Sequence, residues 1–187
     1  MNTRLLPFVV ALPFAVGCGY NTIQRYDEQV SAAESQIRVQ LQRRADLVPN
    51  LVETVKGVAK QELAVFTEVS EARARLAGAA QGGTLTEMAD ANAALTAPLG
   101  RLLAIVESYP ELKSDASFRA LQDQLEGTEN RIAVARQDYN DAVNRYNSYI
   151  RQFPQVLTAK AIGKKARTYF ELTAPDAAEV PRVNFNN

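Results

Sequence analysis

A chain of 187 residues, 47% apolar and 22% charged, is long enough for one domain with a real core and too apolar for a disordered segment. Its 21 basic and 21 acidic residues cancel, so no bulk field draws nucleic acid or strongly anionic surfaces. It contains no His, which excludes His-based triads, His metal sites and imidazole pH switches, and its single Cys excludes an intrachain disulfide.

Residues 1–17 read as an export signal: Arg4, then an apolar run from Leu5 to Val16, then Gly17 before Cys18. The run is shorter than the roughly 20 apolar residues a membrane helix needs, and Pro7 and Pro13 weaken it as an anchor. Ala15-Val16-Gly17-Cys18 resembles the lipobox of bacterial lipoproteins, although Leu is usual where Ala15 stands. That resemblance implies that Cys18 becomes the first mature residue and carries a thioether-linked diacylglycerol and an N-acyl chain of the palmitate kind, which together make a stable anchor. The plainer alternative is a chance Cys at the end of an uncleaved apolar anchor. Residues 18–187 then form a single helical domain, with almost no polar spacer after Cys18.

Periodicity predicts a first helix from Asn21 to Arg44, with Tyr26, Val30, Ala33, Ile37 and Leu41 or Gln40 on one face. Asp46-Leu47-Val48-Pro49-Asn50 reads as punctuation, with Asp46 as N-cap and Pro49 in the next first turn. A second helix follows to about Ala79, on a seam of Leu51, Val55, Val58, Glu62, Val65, Val69, Ala72 and Leu76, widened by Leu63 and Phe66. One helix kinked at Pro49 fits the same residues. Gln81-Gly82-Gly83 ends that segment, and Thr84 with Glu87 forms a capping box for a third helix, Leu85 to Ser108. Met88, Leu95, Leu99, Leu102, Val106 and Tyr109 face inward; Pro98 kinks this helix and Pro110 stops it. Ser114 or Asp115 caps the longest helix, which Pro154 ends. Its seam is Phe118, Leu121, Leu125, Thr128, Ile132, Ala135, Tyr139, Ala142, Tyr146, Tyr149 and Phe153. At 1.5 Å per residue that helix is about 54 Å long. A short helical turn, Val156 to Ile162, stops at Gly163; the tail from Ala174, with Pro175 and Pro181, reads as extended. The fold class is all-α, an elongated antiparallel four-helix bundle with coiled-coil-like seams.

Two clusters stand out. Arg43, Arg44, Asp46, Pro49, Asn50 and Glu53 form either a partner, headgroup or hinge site or the capping and pairing of a bend. Glu129, Asn130, Arg131, Arg136, Tyr139 and Asn140, with Asn144 and Asn147, line the longest helix. They are either register-setting amides or a solvated flank. Glu62, Glu68 and Glu71 are the carboxylates of the second helix; without His they make a poor di-metal set. Glu62, on the seam, is the one carboxylate whose burial would matter, with Arg131 or Arg136 of the longest helix as its candidate partner. No G-x-S-x-G and no Gly-rich loop after a strand occurs. No catalytic residue, metal ligand, cofactor or small-molecule substrate is therefore expected.

The chain resembles the LemA family of bacterial proteins. The resemblance is carried by Ser35-Gln36-Ile37, by Gln40 through Gly57, by Val69-Ser70-Glu71-Ala72-Arg73-Ala74, and by Tyr109-Pro110-Glu111-Leu112-Lys113. Further on it is carried by Thr128 through Arg136, Tyr139 through Val143, Tyr146-Asn147 and Phe153-Pro154. It covers nearly everything from Gly19 to Phe185. It implies a helical bundle held at the membrane by its N-terminus, outside the cytoplasm on the periplasmic or cell-surface side, with no established biochemical activity. Many members begin with an apolar membrane helix where this chain has Cys18. Members are associated with a membrane zinc protease and with magnetosome membranes. The expectation is a non-enzymatic envelope protein bound to membrane lipid, acting through homo-oligomer contacts or a protein partner. The alternative is an accessory or adaptor subunit of a membrane protease or other membrane complex, using an exposed apolar patch such as Val180 to Phe185.

Overall fold

A short amphipathic segment becomes a stable helix only when its apolar stripe is covered, and the computed structural model, which describes residues 19–170, covers these stripes with one another. Among the described residues the elements are all helical: α1 Tyr20–Lys56, α2 Leu63–Gly82, α3 Leu85–Glu107, α4 Pro110–Ser114, α5 Ala116–Arg151 and α6 Gln155–Ala161. The all-α bundle predicted from the sequence is found.

Of the two readings left open at Pro49, the structure takes the one in which a single helix continues through it, and the break comes later. α1 runs 37 residues and passes through Pro49. Asp46 therefore caps nothing; its carboxylate accepts a hydrogen bond from Gln42 Nε2 inside the helix, at 2.7 Å. The chain turns instead after Lys56, through Gly57 and a turn in which Ala59 N–H donates to Val55 O at 2.9 Å. Ala59 is buried there while Val58 faces out. The turn resets the helical phase, so Glu62 leaves the seam: it precedes α2 as an exposed residue, and Leu63 beside it is exposed too. Glu62 is therefore not a buried carboxylate. The covered stripe of α2 is Phe66, Val69, Ala72, Leu76, Ala77 and Ala80.

The other boundaries follow local chemistry. Thr84 N–H donates to Glu87 Oε2 at 2.6 Å while Glu87 N–H donates to Thr84 Oγ1 at 3.2 Å, closing the capping box. The backbone N–H of Thr84, then its side chain, hold the Glu87 carboxyl below its ordinary value. Gly83 must lack a side chain, since a Cβ there would lie 2.8 Å from Ala79 O. α3 runs on through Pro98, which is buried. Pro110 ends α3 and then opens α4 at its first position, where a missing N–H is harmless. Asp115, not Ser114, caps α5: Phe118 N–H donates to Asp115 Oδ1 at 2.8 Å, whereas the Ser114 hydroxyl donates back to Pro110 O. The α5 seam is buried at Phe118, Leu125, Thr128, Ile132, Ala135, Tyr139, Ala142 and Tyr146. Phe153 departs from it, being 80% exposed beyond the end of the helix.

The chain divides into two compact units. Among the described residues, one comprises 19–40 and 129–169, the other 41–128 and Phe170. In the first, α1 and α5 run antiparallel around Ile23, Val30, Ile37, Ile132, Tyr139 and Tyr146, and Tyr26 meets Tyr149 edge to face at 5.2 Å. In the second, α2 and α3 form an antiparallel hairpin tied by an Arg101–Glu68 ion pair, over a core that includes Leu51, Val55, Leu76, Met88, Leu95 and Leu102.

Candidate functional site

The second unit builds its polar centre around Pro49. A proline inside a helix has no N–H, so the carbonyl four residues earlier loses its partner. Here that carbonyl is Ala45 O, in a fully buried residue. Arg73, arriving from α2, donates its Nε–H to Ala45 O at 3.0 Å. The same guanidinium lies 3.8 Å from Asp46 Oδ1, a surface-edge pair that adds little by itself. Immediately before Ala45, Arg44 is 5% exposed and donates to Asn92 Oδ1 of α3 at 2.7 Å, and Asn92 is itself buried. α1 is thus tied to α2 by an arginine that serves the carbonyl the proline leaves open, and to α3 by the arginine that precedes that carbonyl in sequence.

Of the first sequence cluster, Arg44, Asp46 and Pro49 take part in this site, Arg44 buried and Asp46 and Pro49 at its exposed edge. Arg43, Asn50 and Glu53 stay on the surface; Glu53 pairs with Lys56 at 3.0 Å, and Asn50 O accepts from Thr54 Oγ1. Asn92 and the role of Arg73 went unread. The signal for Asn92 was present, since it occupies an inward step of the Met88, Leu95, Leu99 stripe.

The first unit has its own polar lock. α6 ends in a Schellman turn: Gly163 is left-handed at φ 70°, Gly163 N–H donates to Lys160 O, and Lys164 N–H donates to Ala159 O at 2.9 Å. Residues 164–169 then run as an extended strap, antiparallel to α5. Asn147, 3% exposed, holds the strap as a second backbone would, donating to Arg167 O and accepting from Arg167 N–H, both at 2.8 Å. The Tyr139 hydroxyl donates to Thr168 O at 2.9 Å and the Tyr146 hydroxyl to Lys165 O at 3.1 Å. Burial, aided by Glu34 at Tyr139 and Asp27 at Tyr146, pushes both phenols above their ordinary value. From α1, Asp27 accepts from Lys164 Nζ at 2.5 Å and from Arg167 at 2.8 Å.

Burial raises the Asp27 carboxyl, but hydrogen bonds from Lys164 and Arg167 and their charges outweigh it and hold it below the usual carboxylate value. A depressed carboxylate contributes stability that is present above its unfolded value, about 3.9, and lost as pH falls through the folded one. Acid below about pH 4 is therefore expected to lower the melting temperature, and Asp27→Asn to remove that part of the acid dependence. Circular dichroism melts of both proteins across this range check it; parallel curves would count against the pairing.

In the second sequence cluster, Tyr139 is buried and serves the strap, Arg136 and Asn140 are half-buried, and Glu129, Asn130 and Arg131 are exposed. Cys18 and the tail from Val180 to Phe185 lie outside the described residues. Among the described residues no group of three or more His, Cys, Asp and Glu is placed to hold a metal ion, and no helix is long and apolar enough to cross a membrane.

The LemA family model matches residues 33–185. Two magnetosome proteins of Paramagnetospirillum magneticum, MamQ 1 and MamQ 2, are each 31% identical to the chain over 186 residues, covering 87% of it and 68% of their own length. The magnetosome protein MamQ of Magnetospirillum gryphiswaldense is 28% identical over 174 residues, covering 81% of the chain and 64% of its own length.

Proposed function

The chain belongs to the LemA family, and we propose that it is a membrane-anchored, non-catalytic envelope protein that works through helix-mediated contact with copies of itself or with a protein partner. One observation carries this reading. The buried polar members of the family motifs are spent on architecture, at Pro49 and at the strap, while Arg43, Glu53, Glu129, Asn130 and Arg131 of the same motifs stand on the outer faces of packed helices. Charged residues on an outer helix face do little for stability and suit recognition of another helix. Anchoring is assigned to lipid on Cys18, with the bundle on the extracytoplasmic side. The MamQ relatives support this direction in being named for a structure of the cell rather than for a reaction.

The test is crosslinking in intact cells, detergent extraction and mass spectrometry of whatever remains joined to the full chain. Links between copies through α1 and α5 surfaces indicate a scaffold, and Glu129→Lys with Arg131→Glu should remove them. A stoichiometric second protein indicates an adaptor, the expected alternative for a subunit of a membrane protease or other complex. A chain recovered without any protein attached overturns the proposal.

A further inference from the structure

The first unit gathers exposed apolar side chains near Gly19, its first described residue. Gly19 lies against the start of α6: a methyl group on it would meet Gln155 Cγ at 3.2 Å and the Tyr149 hydroxyl at 3.3 Å. Two residues before Gln155, Phe153 is 80% exposed; two residues after it, Leu157 is 57% exposed. Tyr20, next to Gly19, is 45% exposed. A lone exposed apolar side chain needs no explanation, whereas three large ones around one point mark a contact surface.

Charge singles out the same place. From Ala142 to Phe170 the sequence holds six basic residues (Arg145, Arg151, Lys160, Lys164, Lys165 and Arg167) and no acidic one, in a chain whose charges otherwise cancel. Lys164 and Arg167 are taken by Asp27. Arg151 and Lys160, both exposed, flank Phe153 and Leu157 on either side. Aromatic and aliphatic side chains bordered by cations are what the headgroup layer of an anionic bilayer accepts. The apolar run Leu5 to Val16 and Cys18 stand immediately before Gly19 in sequence, with no polar spacer to carry the unit away from the anchor.

We propose that this end of the first unit rests on an anionic bilayer surface, with Phe153, Leu157 and Tyr20 at headgroup depth and Arg151 and Lys160 against the headgroups. The inference rests on the anchored reading above and adds to it: the unit is seated on the membrane, not merely tethered.

The chain has no Trp, so Phe153→Trp and Leu157→Trp each install a single reporter, and Val134→Trp supplies a reference on an exposed face of α5. Val134 lies about 26 Å along the helix from Arg151. Each full-length variant is reconstituted into vesicles of phosphatidylethanolamine and phosphatidylglycerol, with and without brominated acyl chains, and floated. The expected result is flotation of all three, with emission from 153 and 157 quenched severalfold more by brominated lipid than emission from 134, and shielded from iodide. Reversing Arg151 and Lys160 to Glu should lower the seated fraction by roughly fivefold or more per residue. Flotation with 153 and 157 as open to iodide as 134 overturns the seating and leaves the anchor standing. Shielding from iodide without bromine quenching assigns the patch to a second copy or a protein partner and also overturns it. Failure to float removes both the anchor and the seating.

Discussion

Replacing Arg73 by Met destabilises the protein by about 1–3 kcal/mol, the cost of leaving a buried carbonyl without a donor, but only while Pro49 is present. Met keeps the apolar stem of the side chain and deletes the guanidinium, so packing changes little. Pro49→Ala restores an N–H four residues after Ala45 O, and the carbonyl regains an ordinary helical partner. By itself this change should stabilise by about 2 kcal/mol: a helix-interior proline costs roughly 3 relative to alanine, less about 1 for the hydrogen bond that Arg73 already gives Ala45 O. In the Pro49→Ala background, Arg73→Met should then cost less than about 1 kcal/mol, the remainder being the weak contact with Asp46. Urea unfolding of the four proteins in the same detergent gives the cycle. An Arg73→Met penalty of equal size in both backgrounds would show that the guanidinium does not serve the proline's carbonyl.

The second large effect is at Asn147. Asn147→Asp is nearly isosteric and keeps the acceptor for Arg167 N–H. It deletes the donor to Arg167 O and sets a buried negative charge against that carbonyl. The expected cost to strap docking is about 3 kcal/mol, from an unsatisfied carbonyl and a poorly solvated charge together. The strap contains Lys164, Lys165 and Arg167, so its release is read directly by trypsin. Cleavage at these three bonds should accelerate by roughly a hundredfold, in line with about 1.4 kcal/mol per tenfold. Asp27→Asn should accelerate it less, because Asn147, Tyr139 and Tyr146 still hold the backbone. Global destabilisation without faster cleavage at these three bonds would mean that Asn147 supports the core and not the strap.

These two sites also divide what was legible in the sequence from what was not. Features decided within one turn of helix were readable: the Thr84–Glu87 box, the cap before Phe118, the stop at Gly163, and the buried stripe from Phe118 to Tyr146. Pro49 left two readings open because the proline rule weighs only local partners. The donor that lets α1 continue comes from a residue 24 positions further on in another helix. Glu62 misled because a seam was carried across a turn that shifts its phase. The strap left no periodic trace at all: it is held side chain to backbone, and Asp27 meets it from the other end of the chain. Arg44 and Asn92 lie between these cases. Each occupies an apolar stripe where a polar residue is out of place, but only the fold shows that one answers the other.

Pro49 of α1 and Arg73 of α2 constrain the order in which the sequence can change. Losing Pro49 first leaves a helix that is intact and firmer, after which Arg73 is free to drift. Losing Arg73 first exposes a buried carbonyl and lowers the fitness of every descendant until the proline follows. The path between the two states is therefore one-way in practice. Among descendants of a common ancestor, chains with the arginine and without the proline should be common, and chains with the proline and without the arginine should be rare.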